Sequence, residues 1–298
     1  MGHPESHELR HSPQPIRMTP PGPRAELPRD SEWLPPLPAS FWTTLDAGLP
    51  ALGLTLAPEA RRAIDVHVRL LLAWNEAINL TSIIEPGAVA SRHVLDSLAA
   101  VSLLSDREAA GDGSGIGGAG ASAAIRLVDI GSGGGFPGLP LAAAIPAIDV
   151  TLVDSIAKKA RFLEVASAAM ALGDRVVVRA ERAEALVSTP AAGAAGHEAA
   201  SWDVVTARAI GRLDELVELA MPLLNVGGRL LAWKRGDIEA ELAAADRAAP
   251  ALGAGHPLVH LLTGIPDLAG HQIVELVKLR PTPDGYPRDP PRRKGRPW

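Results

Sequence analysis

The stretch "LVDIGSGGGFPGLPLA", residues 127–142, decides the architecture: a short apolar run closes on Asp129 and Ile130, breaks into five glycines, and resumes as apolar sequence. Such a pattern describes a strand, a tight loop and a helix, with "FPG" fixing where the helix begins. Glycine without a Cβ lets backbone turn sharply and lets a ligand approach closely. Working outward, the runs "IRLVDI" (125–130), "DVTLVD" (149–154), "RVVVRA" (175–180), "WDVVTA" (202–207) and "RLLAWK" (229–234) read as strands, and "HQIVELVKLR" (271–280) reads as a last, antiparallel one. Helical patterns such as "IAKKARFLEVASAAMALG" separate them. Strands alternating with helices imply an α/β fold, a mostly parallel sheet covered on both faces. A ligand then belongs at the carboxyl ends of the strands, where the strand order reverses.

Three ligands compete for the loop. A triphosphate loop needs Gly-Lys-Ser/Thr, and here Gly138 is followed by Leu139 and Pro140. A dinucleotide fits by literal pattern, since Gly133, Gly135 and Gly138 match G-x-G-x-x-G with Asp154 further on. Counting instead from the strand end at Ile130 makes Gly131 the first turn glycine, and position 136 is then Phe. Asp129 would also set a carboxylate beside a pyrophosphate, whereas a cationic ligand would welcome it. S-adenosylmethionine is such a cation, and the order Asp129, Gly131, Gly133, Gly135, Asp154 resembles the class I methyltransferase fingerprint, Rossmann-like in plan. On the loop alone, a dehydrogenase or a merely structural turn stays open.

Composition narrows the chemistry. The chain has 298 residues, 47% apolar and 21% charged, with a net charge of -5 and no cysteine. Disulfides, thiolate metal sites and cysteine nucleophiles are excluded, and with them methylation at pyrimidine carbon 5. No apolar run approaches the roughly 20 residues of a membrane span, and no signal-like segment opens the chain, so a soluble, cytoplasmic protein is expected. His3, His7 and His11 recur regularly but lie in proline-rich sequence, and no metal site is expected. Residues 1–36 read as a disordered leader, 40–104 as a helical N-terminal part, 105–124 as a Gly/Ala-rich linker, 125–280 as the α/β domain and 281–298 as a basic tail. In the helical part Ile64, Val68, Leu71 and Leu72 share one face, and Pro86 opens a second helix.

Five pieces occur together in order: "WNEAINLTS" (74–82), "SRHVLDSL" (91–98), the glycine stretch, "LVDSIAKKARFLE" (152–164) and "TARA" (206–209). The combination resembles the glucose-inhibited division protein B family, the bacterial 16S ribosomal RNA guanine-N7 methyltransferases, over roughly residues 45–280. Ser132 and Gly134 depart from the family's commoner Thr and Pro. The resemblance implies S-adenosylmethionine as cofactor, touched by Gly131 and Phe136, with close backbone approach at Gly133 and Gly135. Asp154 would take the ribose hydroxyls, Ala183 and Glu184 would flank the adenine, and Arg208 would lie on the cofactor side. A solvated helix-start acid is the plainer reading of Glu184. The implied partner is 16S ribosomal RNA or the 30S subunit, met by a monomer without membrane or metal.

The residues bear on this independently. Exocyclic amine methylation usually pairs with Asn/Asp-Pro-Pro-aromatic after the fourth strand, where this chain has Thr206 to Ala209; the Asp289-Pro-Pro in the tail runs into Arg292. Guanine N7 has a free lone pair, so its methylation needs orientation and no general base, and no catalytic residue is named. His93, Asp96 and Ser97 share a helical face but nothing around them resembles a nucleophile elbow. For RNA, Arg92 and His93, Lys158 of "AKKAR", Lys234, and Arg292, Arg293 and Lys294 of the tail are the candidates, each set against a solvated face. Together with Arg288, Arg296, Tyr286 and Trp298 the tail reads as a flexible electrostatic arm. Other outcomes are a same-fold methyltransferase on another RNA or a small molecule, an NAD-dependent dehydrogenase, and a non-catalytic RNA-binding assembly protein.

Overall fold

The computed structural model describes residues 26–109, 124–188, 202–265 and 267–298. Helices α1 (Ala39–Gly48), α2 (Pro58–Ile78), α3 (Pro86–Val89), α4 (Asp96–Leu98) and α5 (Val101–Ala109) precede the sheet, with a π-helical segment, Ala90–Leu95, between α3 and α4. Then come β1 (Ile125–Ile130), α6 (Gly138–Ala144), β2 (Ile148–Val153), α7 (Ala157–Ala169), β3 (Val176–Arg179), β4 (Trp202–Arg208), α8 (Leu213–Ala220), β5 (Leu224–Arg235), α9 (Glu239–Leu252), β6 (Leu258–Leu261), β7 (His271–Val277) and α10 (Pro290–Gly295).

The strands form one sheet in the order β3-β2-β1-β4-β5-β7-β6. From β3 to β5 all pairs are parallel, and β7 enters antiparallel to β5 and β6. This is the arrangement of class I S-adenosylmethionine-dependent methyltransferases, and β1, beside β4, is its switch point. Side chains alternate between the faces. Leu127, Leu152, Val204 and Leu231 enter one core, and Val128, Val153, Val205 and Leu230 the other. Burial of both faces explains why the central strands are continuous apolar runs.

The helical part has no core of its own. Ile64, Val68, Leu71 and Trp74 of α2 share one cluster with Leu139, Phe162 and Leu163 of α6 and α7 and with the sheet. Leu72 is only partly buried and packs at the edge of that cluster.

Residues 26–36 correct the leader boundary. Arg69 donates from Nε to the Pro35 carbonyl at 2.9 Å, and from Nη2 to the Ser31 carbonyl at 2.6 Å and to that of Leu34. Trp74 Nε1 donates to the Pro28 carbonyl at 2.8 Å, and Leu27 and Leu34 pack on the core. Polar side chains of α2 thus collect carbonyls of an irregular segment, turned at Ser31–Leu34, that composition alone marks as unstructured. Residues 1–25, and most of the linker (110–123), lie outside the described residues.

The helix opened by Pro86 is not continuous. Glu85 caps it, its carboxylate accepting from the amides of Gly87 and Ala88, but the chain widens into the π segment and is interrupted again before α5. Single π turns often mark functional positions. Here the segment carries Arg92 and His93.

Candidate functional site

The glycine loop is fastened to the end of β2. The amides of Gly131 and Ser132 donate to the Val153 carbonyl at 2.8 and 3.0 Å, and Ser132 Oγ accepts from the Val153 amide at 3.1 Å. Asp154 holds both neighbouring turns: Oδ2 accepts from the Gly133 amide at 2.9 Å and Oδ1 from the Ile156 amide at 2.8 Å. The glycines do different jobs. At Gly135 a Cβ would lie 2.5 Å from Leu139 Cδ1 and 3.0 Å from His67 Nε2, so its bareness serves inward packing. At Gly133, with φ +55°, a Cβ would meet only the Gly131 carbonyl, 3.8 Å away, so its bareness faces open space.

Asp129 does not face that space. Fully buried, its carboxylate accepts from Thr206 Oγ1 at 2.8 Å and from the Gly138 amide, the start of α6, at 3.3 Å. The like-charge argument that disfavours a dinucleotide therefore loses its geometry; the acid is a brace beneath the loop. Burial raises its pKa to about 6, against the opposing pull of its hydrogen bonds. Because the folded value exceeds the ordinary 3.8, the native state holds a proton that the unfolded chain has released, and stability falls as pH rises between the two values. Asp129→Asn stays neutral, so the melting temperature of the variant minus that of the natural protein should climb from about pH 4 to about pH 6. A difference that stays flat across that range in parallel thermal melts would contradict this reading.

Above the loop, the ring of Phe136 is flanked by His67 and His93, each with its centroid 4.6 Å away, and the Arg208 guanidinium lies 5.2 Å from its centre. Both imidazoles are neutral: burial lowers His67 to about 4 and, with the nearby Arg208 charge, His93 to about 3. Arg208 donates from Nη2 to His93 Nδ1 at 3.0 Å, which puts the ring proton on Nε2, 2.7 Å from Thr81 Oγ1. Arg208 Nη1 donates to Asp96 Oδ2 at 2.9 Å and to the Arg92 carbonyl at 3.0 Å. Asp96, nearly sealed, also accepts from His271 Nδ1 at 3.0 Å on Oδ1 and from Trp233 Nε1 at 2.8 Å on its carbonyl.

A cavity of about 800 Å³ opens over these groups, at the carboxyl ends of β1, β2, β4 and β5 and the first residue of β7. That volume suits a cofactor-sized ligand. Gly131, Gly133, Phe136, Asp154 and Arg208 line it, as do Arg92, His93 and Lys234. Ala209, in left-handed backbone with φ +57°, turns the chain after β4 so that Ala209, Ile210 and Gly211 line the wall.

Several expected residues are placed elsewhere. Gly135, Ala183 and Glu184 do not line the cavity. Glu184 instead takes Arg293 of the tail, whose guanidinium and charge outweigh burial and hold its carboxyl below the usual range. Lys234 Nζ is engaged by Glu241 at 2.6 Å and the Gly211 carbonyl at 3.0 Å, and His93 has both ring nitrogens engaged, so each already has partners within the protein. Lys158 points to solvent off the cavity while its neighbour Lys159 lines it, and Arg235 lines it beside Lys234.

The tail is no free arm. Arg288 pairs with the buried carboxylate of Glu218 at 2.6 Å, Trp298 Nε1 donates to the same group at 2.8 Å, and the guanidinium lies 4.8 Å from the Trp298 ring centre. Of the tail candidates, Arg292 and Lys294 remain exposed. Thr81 to Ile83, Asp96, Trp233 and His271 are cavity residues the sequence reading missed as such. Among the described residues no cluster of metal-ligating side chains occurs, and no helix is long and apolar enough to cross a membrane.

A family model described as GidB: rRNA small subunit methyltransferase G matches residues 60–265. Proteins named ribosomal RNA small subunit methyltransferase G are similar over most of their length. That of Symbiobacterium thermophilum is 36% identical over 249 residues, 82% of this chain and 92% of the relative. That of Sorangium cellulosum is 42% identical over 74% of this chain and 84% of the relative, and that of Bacillus subtilis 32% identical over 82% and 93%. With the strand order, the glycine loop and a match running from α2 to just past β6, the chain belongs to the rRNA small subunit methyltransferase G family.

Proposed function

We propose that this protein transfers the methyl group of S-adenosylmethionine to N7 of a guanine in 16S ribosomal RNA. The observation that carries the cofactor's place is the open backbone at Gly133 next to Asp154. The residues fit the group. Gly133 leaves room for it and Gly131, whose missing Cβ makes way for Ile210, lines the same cavity with its backbone; Asp154 keeps lone pairs for the ribose hydroxyls beside its two amide bonds, and Ile156, 44% exposed at the rim, offers an apolar face. When bound, the cofactor supplies an electrophilic methyl on a cationic sulfur.

The chain's own residues position the base. Guanine N7 carries its lone pair in the plane of the ring and loses no proton, so rate comes from holding it in line with the methyl carbon. The cavity accords with that demand, since the carboxylates of Asp96 and Asp154 are tied by hydrogen bonds and are not poised as bases. Asp96, His93 and the Arg92 carbonyl hold the Arg208 guanidinium in place over the Phe136 ring. For RNA, Arg92, Lys159 and Arg235 line the cavity with no carboxylate partner among the described residues. The protein would act as a cytoplasmic monomer, without membrane or metal, on 16S RNA alone or in the 30S subunit.

The test is incubation with methyl-labelled S-adenosylmethionine and undermethylated 30S subunits or naked 16S RNA, followed by mapping of the label. Label at guanine N7 is expected; label nowhere, or on another atom, sinks the reading. The double change Arg92→Ala and Arg235→Ala should weaken RNA binding and reduce the slope of log affinity against log salt by between about one and two, as expected for two lost phosphate contacts. A slope that does not move would take those two residues off the RNA path.

A further inference from the structure

The cavity has two ends. Asp154 and Gly131 mark the β2 and β1 end, while His271 lies at the far end, because antiparallel β7 sets its first residue opposite Arg235, the last of β5. Four strand spacings along the sheet separate β2 from β7, roughly 19 Å at the usual interval. A cofactor seated over β1 and β2 therefore leaves the His271 end for the base.

Asp96 dictates what His271 can do there. The carboxylate, fixed on its other oxygen by Arg208 and through its carbonyl by Trp233, accepts from His271 Nδ1 at 3.0 Å. In the neutral ring the proton is thereby held on Nδ1, and Nε2 keeps a lone pair. That atom has no protein partner among the described residues, and the sealed side-chain atoms without one are His67 Nδ1, Asp214 Oδ2 and Arg229 Nε. Nε2 thus opens on the cavity that the ring lines. His93, the other cavity imidazole, has no nitrogen to offer.

We propose that His271 is the specificity-determining residue for guanine, its Nε2 accepting a hydrogen bond from the Watson–Crick edge of the target base, with Asp96 as its positioning residue. The inference rests on the reaction proposed above. When N7 faces the methyl donor, the N1–H and exocyclic amine of guanine face away, and both are donors. Adenine presents a bare lone pair at N1, set against that of Nε2, and its one donor on that edge, the amine on C6, takes the place of guanine O6 on the N7 side of the ring, away from His271. A site built around a hydrogen bond rejects a base that leaves it unpaired.

The experiment measures affinity, in the presence of S-adenosylhomocysteine, for undermethylated 30S subunits carrying guanine or adenine at the base that the labelling maps. The natural protein should prefer guanine, and His271→Ala should lower that preference about tenfold or more with unchanged affinity for S-adenosylhomocysteine. His271→Gln, whose amide offers both a donor for Asp96 and an acceptor for the base, should recover part of the preference. If His271→Ala keeps the full preference, or loses S-adenosylhomocysteine instead, the proposal is overturned while the methylation reading stands. If the natural protein labels no guanine N7, the reaction itself fails and this assignment goes with it.

Discussion

Valine at position 133 should abolish binding of S-adenosylhomocysteine, with a loss of more than about a hundredfold by calorimetric titration, while the protein still folds. The Gly133 Cα faces space in which an added Cβ meets no protein atom nearer than 3.8 Å. The branched side chain therefore collides with the ligand and not with the fold. It does carry a backbone penalty, because φ is +55° there, of about 1–2 kcal/mol. Such a penalty lowers the melting temperature by a few degrees in a domain of this size. Gly135→Ala is the control with the opposite signature: its Cβ would press on Leu139 and His67, so stability should drop further for a smaller side chain. A Gly133→Val protein that melts normally and binds S-adenosylhomocysteine at the natural affinity would remove the glycine loop from the cofactor site.

The second large effect is thermal. Removing residues 285–298 should destabilise the fold by about 3–5 kcal/mol, the usual consequence of stripping one partner from a buried ion pair. Glu218 lies wholly inside, and every hydrogen bond to its carboxylate in the described structure comes from the tail: the Arg288 amide at 2.7 Å, the Arg288 side chain and Trp298 Nε1. Burial alone would raise the Glu218 pKa, but these donors and the Arg288 charge outweigh it and hold the group below its ordinary value of 4.5. Since the folded pKa is depressed, this contribution is present above that value and fades as pH falls through it. Truncated and full-length proteins should therefore melt far apart at neutral pH and converge in acid, and Arg288→Ala alone should reproduce most of the gap. A truncated protein that melts with the full-length one at neutral pH would restore the picture of a loose electrostatic arm.

How much of this was legible depended on the range of the interaction that decided each feature. The central strands were readable because both faces are buried, which makes "IRLVDI" and "WDVVTA" apolar almost throughout. β6 went unnoticed because "LVHL" is a half-exposed edge strand, and the start of β5 because "LNVGG" holds Asn and two glycines. The π segment has no apolar period of its own to announce it. In the site, Gly131, Gly133 and Asp154 are local in sequence, and they line the cavity. Lys234, Arg293 and Arg288 read as unpaired in the sequence because the carboxylates that hold them stand 7, 109 and 70 residues away. For Asp129 a signal did exist: it lies two residues after Leu127, on the same face of β1, and that face is covered by α2, α6 and α7. Strand alternation points the acid under the helix.

Asp96 joins one helical turn to Arg208 on β4, Trp233 on β5 and His271 on β7 through direct hydrogen bonds. A wall pinned at three strands is a rigid mould, unable to swing aside as a hinged lid would. On the proposed reaction, the deformation needed to bring a guanine to the methyl donor then falls on the RNA: the nucleotide must rotate out of its stack, at an expense of a few kcal/mol that bases already unpaired largely avoid. The enzyme would thus sense the looseness of its target before the identity of the base.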